Sequence, residues 1–78
     1  MEEKVIEIVE KVTEYKDLRK NIEIDLLENE ILDSLAFIEL INTLEEEFDI
    51  EIYPTQENPQ TWRKVRNIIE MVKRKLHN

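Results

Sequence analysis

Glycine is absent from this 78-residue chain, and Pro54 and Pro59 are its only prolines. With so little to interrupt the backbone, the spacing of apolar residues decides the fold, and that spacing is helical almost throughout. The stretch Ile50-Glu51-Ile52-Tyr53 only mimics strand alternation. The expected architecture is an all-α bundle. A chain this short is expected to form a single domain over residues 1–78 and to bury only roughly 60–65% of the surface that its unfolded form exposes. Nearly every large apolar side chain is then needed in the core, and a deep catalytic cleft is hard to fit. Small size favours a module on which other proteins act.

Apolar positions spaced by three and four place a first helix at about Glu3 to Lys16, with Val5, Ile8, Val9, Val12 and Tyr15 on one face. Glu3 and Glu7 lie near its start, where negative charge is favoured. Residues 18–32 form a long connection, unusually apolar through Ile22, Ile24, Leu26, Leu27, Ile31 and Leu32. It is expected to pack across the bundle, through a turn capped by Asp25 with Glu28 three residues on. Asp33 reads as the N-cap of a second helix from Ser34 to about Phe48. Advancing 100° per residue puts Phe37, Leu40, Ile41, Leu44 and Phe48 on its core side. Ser34, Leu35, Ile38, Glu39, Asn42, Glu45 and Glu46 fall toward the other. Residues 49–61 read as a turn and one short helix, capped by Thr55 and limited by Pro59. A last helix runs from about Trp62 to Leu76, with Val65, Ile68, Ile69, Val72 and Leu76 as its stripe. Its basic end, Lys73-Arg74-Lys75, complements the helix dipole without any ligand. Tyr53 and Trp62 are expected in the core or at its edge.

Charge and composition remove several classes of function. The chain has no cysteine, so it offers no disulfide, thiolate metal site or cysteine nucleophile. Its start, MEEKVIEIVEKV, lacks the basic beginning and apolar core of a signal peptide. No apolar run approaches the ~20 residues that span a bilayer, so a cytoplasmic, soluble protein is expected. Eleven basic against nineteen acidic residues leave a formal net charge of -8, and no basic residue occurs from Asp25 to Glu51. Such a middle repels nucleic acid and attracts a basic protein surface. A calcium loop starting at Asp25 fails, because Leu27 and Glu30 stand where a ligand and a glycine are needed. His77 is a lone histidine near the chain end, and zinc has no support. Asp33 and Glu39 flank Ser34, yet no histidine or lysine lies close in sequence to activate it, so an autonomous hydrolase is not expected.

What remains is Ile31-Leu32-Asp33-Ser34-Leu35. A serine directly after an N-cap is exposed and held by a rigid element, and the amides around it favour an attached phosphate. Those are the needs of a hydroxyl that another enzyme modifies. Simple helix capping explains the same pair of residues when the context is set aside. Leu35 and Ile38, ringed by carboxylates, either pack under the preceding loop or form a transient docking spot.

With ILDSL at 31–35, IEL at 38–40 and LEEEFDIEI at 44–52, the chain resembles the acyl carrier protein family along nearly its whole length. The resemblance implies an all-α, four-helix bundle with a long first loop and a short third helix. It implies that Ser34 receives 4'-phosphopantetheine from coenzyme A. Asp33 would assist near the transferase's magnesium, which is present only during attachment. It implies that Leu35 lines the partner interface and that Glu39, Glu45 and Glu46 match acidic recognition residues. Ile38 and Asn42 share that face. Within the family the chain looks most like the D-alanyl carrier proteins of Gram-positive bacteria. Those have Leu-Asp-Ser without a preceding glycine-alanine pair, and a tryptophan shortly before the last helix followed by Asn-Ile. Here Ile31-Leu32 precede Asp33, and Trp62 and Asn67-Ile68 fit that spacing. Ala36 stands where fatty-acid carriers usually have aspartate, while Tyr53-Pro54 and TQENPQ at 55–60 depart from the subfamily's short helix.

The implied function is a carrier, not an enzyme, that holds an acyl or aminoacyl group as a thioester. D-alanine for teichoic or lipoteichoic acid modification is the first choice of cargo. Fatty-acid, polyketide or other aminoacyl transfer, and an unmodified helical interaction module, are the alternatives. The implied partners are a phosphopantetheinyl transferase, an adenylating ligase that activates D-alanine, and a downstream acyltransferase in the membrane. The apolar stripes are about what one bundle uses, so a monomer is expected.

Overall fold

The computed structural model describes residues 1–77. Among them stand three α-helices: α1 over Glu2–Thr13, α2 over Ser34–Phe48 and α3 over Val65–Leu76. Helix α1 packs against both α2 and α3. Its Val5, Ile8 and Val9 meet Leu40 and Leu44 of α2 and Val65, Ile68, Met71 and Val72 of α3 in one core. Side chains spaced by three and four place each of these sets on one face, and burying that face stabilises helices too short to persist alone. Leu76, expected in the last stripe, is instead exposed, and Met71 occupies the core.

The expected four-helix bundle is not what forms, because the short third helix is absent as an α-helix. In its place are two 3₁₀ turns, Pro54–Gln56 and Pro59–Trp62. Each begins with a proline, which suits the first position of a turn. Glu57 and Asn58 between them are extended. The residue before a proline is driven from the α region, so Asn58 cannot carry a helix into Pro59. Thr55 lies inside the first of these turns, which has no side-chain cap. Asn58 caps the second, its Oδ1 accepting the Gln60 amide at 2.8 Å. Trp62 ends that turn and does not begin α3, and Lys64 is extended before α3 starts at Val65. Tyr53 lies on the surface and not in the core, its hydroxyl donating to Glu51 at 2.6 Å.

Helix α1 stops earlier than its apolar stripe predicts. Glu14 is left-handed, at φ 59°, and Thr13 Oγ1 donates to the Val9 carbonyl at 2.6 Å. Without glycine, three acidic residues among those described take a left-handed conformation: Glu14, Glu30 and Asp49.

The long first connection is ordered by burial and by polar straps. Leu18, Leu26 and Leu32 are buried in the core. Arg19, in a 3₁₀ turn at Leu18–Lys20, reaches back to Glu3 and Glu10 of α1. The Leu26 amide donates to the Arg63 carbonyl at 2.6 Å. Arg63 also donates to Asp25 at 3.1 Å, and Glu23 pairs with Lys64 and Arg66. The two connections therefore meet. The basic end of α3 is used inside the fold as well: Lys73 bonds Glu2, and Arg74 and Lys75 close on the largely buried Glu57.

Candidate functional site

The start of α2 is pinned on both sides of its exposed residues. Leu32 before it and Ala36 within its first turn are buried, while Asp33, Ser34 and Leu35 between them face outward. Asp33 is extended, and its Oδ1 accepts the Ala36 amide at 2.9 Å. Its backbone carbonyl accepts the Phe37 amide at 2.8 Å. Asp33 thus performs the capping that its sequence position predicts. The Ser34 hydroxyl is left free of that duty, on the first residue of a rigid helix.

Around Ser34 lies a trough of about 440 Å³. It is lined by Leu27, Leu32, Phe37, Ile38, Pro59 and Trp62, with Asp33 and Ser34 as its polar members. Phe37 and Trp62 meet edge to face, ring centroids 5.0 Å apart at 89°. This arrangement is favoured by the quadrupoles of the two rings and fixes one wall. A larger groove between α1 and α2 is dominated by charged residues, among them Lys4, Glu7, Lys11 and Glu47, and includes none of the residues around Ser34.

Asp25 holds the turn that carries Leu27. Its Oδ1 accepts the amides of Leu27 at 3.0 Å and Glu28 at 2.9 Å, as its place before an apolar turn suggests. The Glu28 amide is the first cause that keeps the Asp25 carboxyl below its ordinary value of 3.8. Burial works against this, while Arg63 and the Leu27 amide add to it.

The structure divides the expected docking residues. Leu35 is 68% and Ile38 57% exposed, so neither packs under the preceding loop. Glu39, Asn42 and Glu46 are exposed on the same helix. Glu45 is half-buried, and its Oε2 accepts the Ile52 amide at 2.9 Å. That carboxylate ties α2 to the second connection. No three potential ligands gather into a metal site among the described residues. Asp33 is a single exposed carboxylate, which could complete a cation's shell but could not hold the cation alone.

Leu27, Pro59 and Trp62 are site residues that sequence reasoning missed. Trp62 reads as core and is indeed buried, yet it also lines the trough. Leu27 carried a signal in its place, a large apolar residue followed by Glu28, Asn29 and Glu30. Nothing in the spacing joins it to Pro59.

A family model described as a phosphopantetheine attachment site matches residues 3–72. The D-alanyl carrier protein of Lactococcus lactis is 35% identical over 75 residues, covering 96% of this chain and 95% of that protein. The D-alanyl carrier protein of Abiotrophia defectiva is 30% identical over 76 residues, 97% of this chain and 96% of its own length. That of Listeria welshimeri is 33% identical over 67 residues, 86% of each.

Proposed function

The chain belongs to the phosphopantetheine attachment family, and from that premise we propose that Ser34 bears the prosthetic arm and that the cargo is D-alanine. The protein is a carrier, not an enzyme, and phosphopantetheine is its covalent cofactor. The observation that supports Ser34 is its place, exposed as the first residue of α2 while Asp33 alone supplies the cap. The residues fit the group. An open hydroxyl meets a transferase without rearrangement, and the helix start favours the negative charge of a phosphodiester. The arm supplies a thiol for thioester chemistry, which a chain without cysteine lacks.

The chain's own residues present and orient. Asp33 fixes the helix start and completes the shell of a magnesium ion held largely by the transferase. Leu35 and Ile38 give a partner apolar contact, and Glu39, Asn42 and Glu46 surround it with polar groups on a stretch that has no cation. Charge of one sign speeds encounter with basic surfaces more than it tightens the complex. Glu45 contributes mainly by holding α2 to Ile52. Family membership implies a phosphopantetheinyl transferase and downstream enzymes as partners. The finer reading adds a D-alanine-activating ligase and an acyltransferase of the membrane, in the D-alanylation of lipoteichoic acid. It takes support from the relatives named D-alanyl carrier protein across almost the full chain. No helix of the described residues is long and apolar enough to cross a membrane.

Intact mass follows both steps. With an active transferase and coenzyme A, the wild type gains one phosphopantetheine and Ser34→Ala gains none. With a D-alanine-activating ligase and ATP, the product gains one alanyl group, faster than acyl-loading enzymes add a fatty acyl group. Modification of Ser34→Ala overturns the assigned residue. Equal or better loading with fatty acyl groups overturns the assigned cargo.

A further inference from the structure

The second connection is fixed at both ends and thinly supported between them. Ile52 and Thr61 are buried, yet of residues 53–60 every one is exposed except Glu57. No apolar side chain of that segment is anchored in the core. Its hydrogen bonds are mostly internal, from the Gln56 amide to the Tyr53 carbonyl, the Glu57 amide to the Pro54 carbonyl and the Gln60 amide to the Asn58 side chain. From residues 53–60 two polar contacts reach beyond the connection, and both end on α3. In one, Asn67 Nδ2 donates to the Gln60 carbonyl at 2.9 Å. In the other, the Glu57 side chain, only 7% exposed, meets Arg74 through Oε1 at 2.7 Å and Lys75 through Oε2 at 3.1 Å. Each carboxylate oxygen has its own cation.

A carboxylate is a costly anchor, because an apolar side chain leaves water more easily. What two opposed cations add is direction. Pro59, two residues on, is the one member of residues 53–60 that lines the trough at Ser34. We propose that Glu57 is a positioning residue. Clamped by Arg74 and Lys75, it holds Pro59 and the turn Pro59–Trp62 where a partner reaching for Ser34 meets them. The inference rests on the assignment of Ser34 as the attachment residue. Glu57 is not part of the lining around Ser34 and acts only through the connection. With the clamp open, residues 53–60 sample other placements and fewer molecules stand ready for the partner. Apparent affinity falls by the same factor. The clamp makes no bond to α2, so the cap that presents Ser34 is left as it was.

The test follows transfer of phosphopantetheine from coenzyme A onto the full chain, with KM for the carrier and kcat read separately. Glu57→Gln keeps the shape of the side chain and removes its charge. Its KM should rise about three- to tenfold with kcat nearly unchanged. Arg74→Ala combined with Lys75→Ala opens the clamp from the α3 side and should raise KM to a similar extent. Arg19→Gln removes ion pairs of the same kind between the first connection and α1, and should leave KM unchanged. Amide exchange should quicken at Thr61, whose amide donates to the Asn58 carbonyl, in both clamp variants and stay slow at Leu44 of α2. An unchanged KM in Glu57→Gln overturns the positioning role and leaves the carrier reading intact. So does an equal rise in Arg19→Gln, or a rise in Glu57→Gln that the α3 pair does not reproduce. Fast exchange at Leu44 in Glu57→Gln overturns it too, since the clamp would then hold the whole fold. A wild type that gains no arm overturns the assignment of Ser34 and the positioning role together.

Discussion

Leu35 and Leu44 are the same residue type on the same helix, yet Leu35 is 68% exposed and Leu44 is 0% exposed. Leu44 faces α1 in a core that a chain of this size can scarcely enlarge. Leu35 contributes nothing to that core and stands beside the serine assigned to carry the arm. The two ends of α2 differ in the same sense. Its C-terminal end is closed by the Glu45–Ile52 bond and the left-handed Asp49. Its N-terminal end is capped by Asp33 but keeps Ser34, Leu35 and Ile38 open. One end of the helix serves stability, and the other presents a surface.

The largest effect expected from this contrast lies in truncating the two leucines. Leu44→Ala should cost about 2–5 kcal/mol of stability through lost burial and a cavity. Leu35→Ala should change stability by less than about 0.5 kcal/mol while slowing modification by the transferase. Denaturant unfolding and transferase kinetics on both variants check the pair. A large stability loss in Leu35→Ala would erase the distinction between the two ends.

A smaller effect concerns the loop that walls the open end. The Asp25 carboxyl is held below its ordinary 3.8, first by the Glu28 amide and then by Arg63 and the Leu27 amide, against burial. As pH falls, the unfolded chain therefore takes up this proton before the folded one does. The contribution is complete above the unfolded value and is lost as pH drops below 3.8 through the folded value. Asp25→Asn should be less stable than wild type at neutral pH, and its melting temperature should fall less steeply in acid. Parallel melting curves against pH would show that the Asp25 straps do not stabilise the loop.

The smallest effect belongs to the closed end. Asp49 ends α2 at φ 53°, a conformation that costs a residue with a Cβ roughly 1 kcal/mol and glycine little. Asp49→Gly should raise stability by about 0.5–1 kcal/mol, measured by unfolding, with modification at Ser34 unchanged. Slower modification would mean that the closed end also shapes the open one.

The limits of α2 and its cap were legible because they depend on neighbours in the chain. Asp33 reaches an amide three residues on, and a 100° turn per residue sorts Leu40 from Ile38. The same geometry took Leu35 and Ile38 off the core side but left open whether the preceding loop covers them, and only the fold shows both exposed. The role of Glu45 did not, since nothing local shows that its carboxylate meets the Ile52 amide. The expected fourth helix failed for a local reason that was partly visible. Pro59 was expected only to limit the short helix, but by restricting Asn58 it leaves two separate 3₁₀ turns in its place. The basic end of α3 was legible as a complement to the dipole, but its clamp on Glu57 spans a turn and a helix.

The sequence by itself determined three helical faces, the cap at Asp33, the acidic middle of the chain and the candidate serine. Each follows from dihedral preference, periodicity or charge within a few residues. Only the tertiary structure decided that Leu27, Ile38, Pro59 and Trp62 form one trough at Ser34. That surface requires two connections to be brought together by core burial and by the straps at Arg63, and neither force is confined to neighbouring residues.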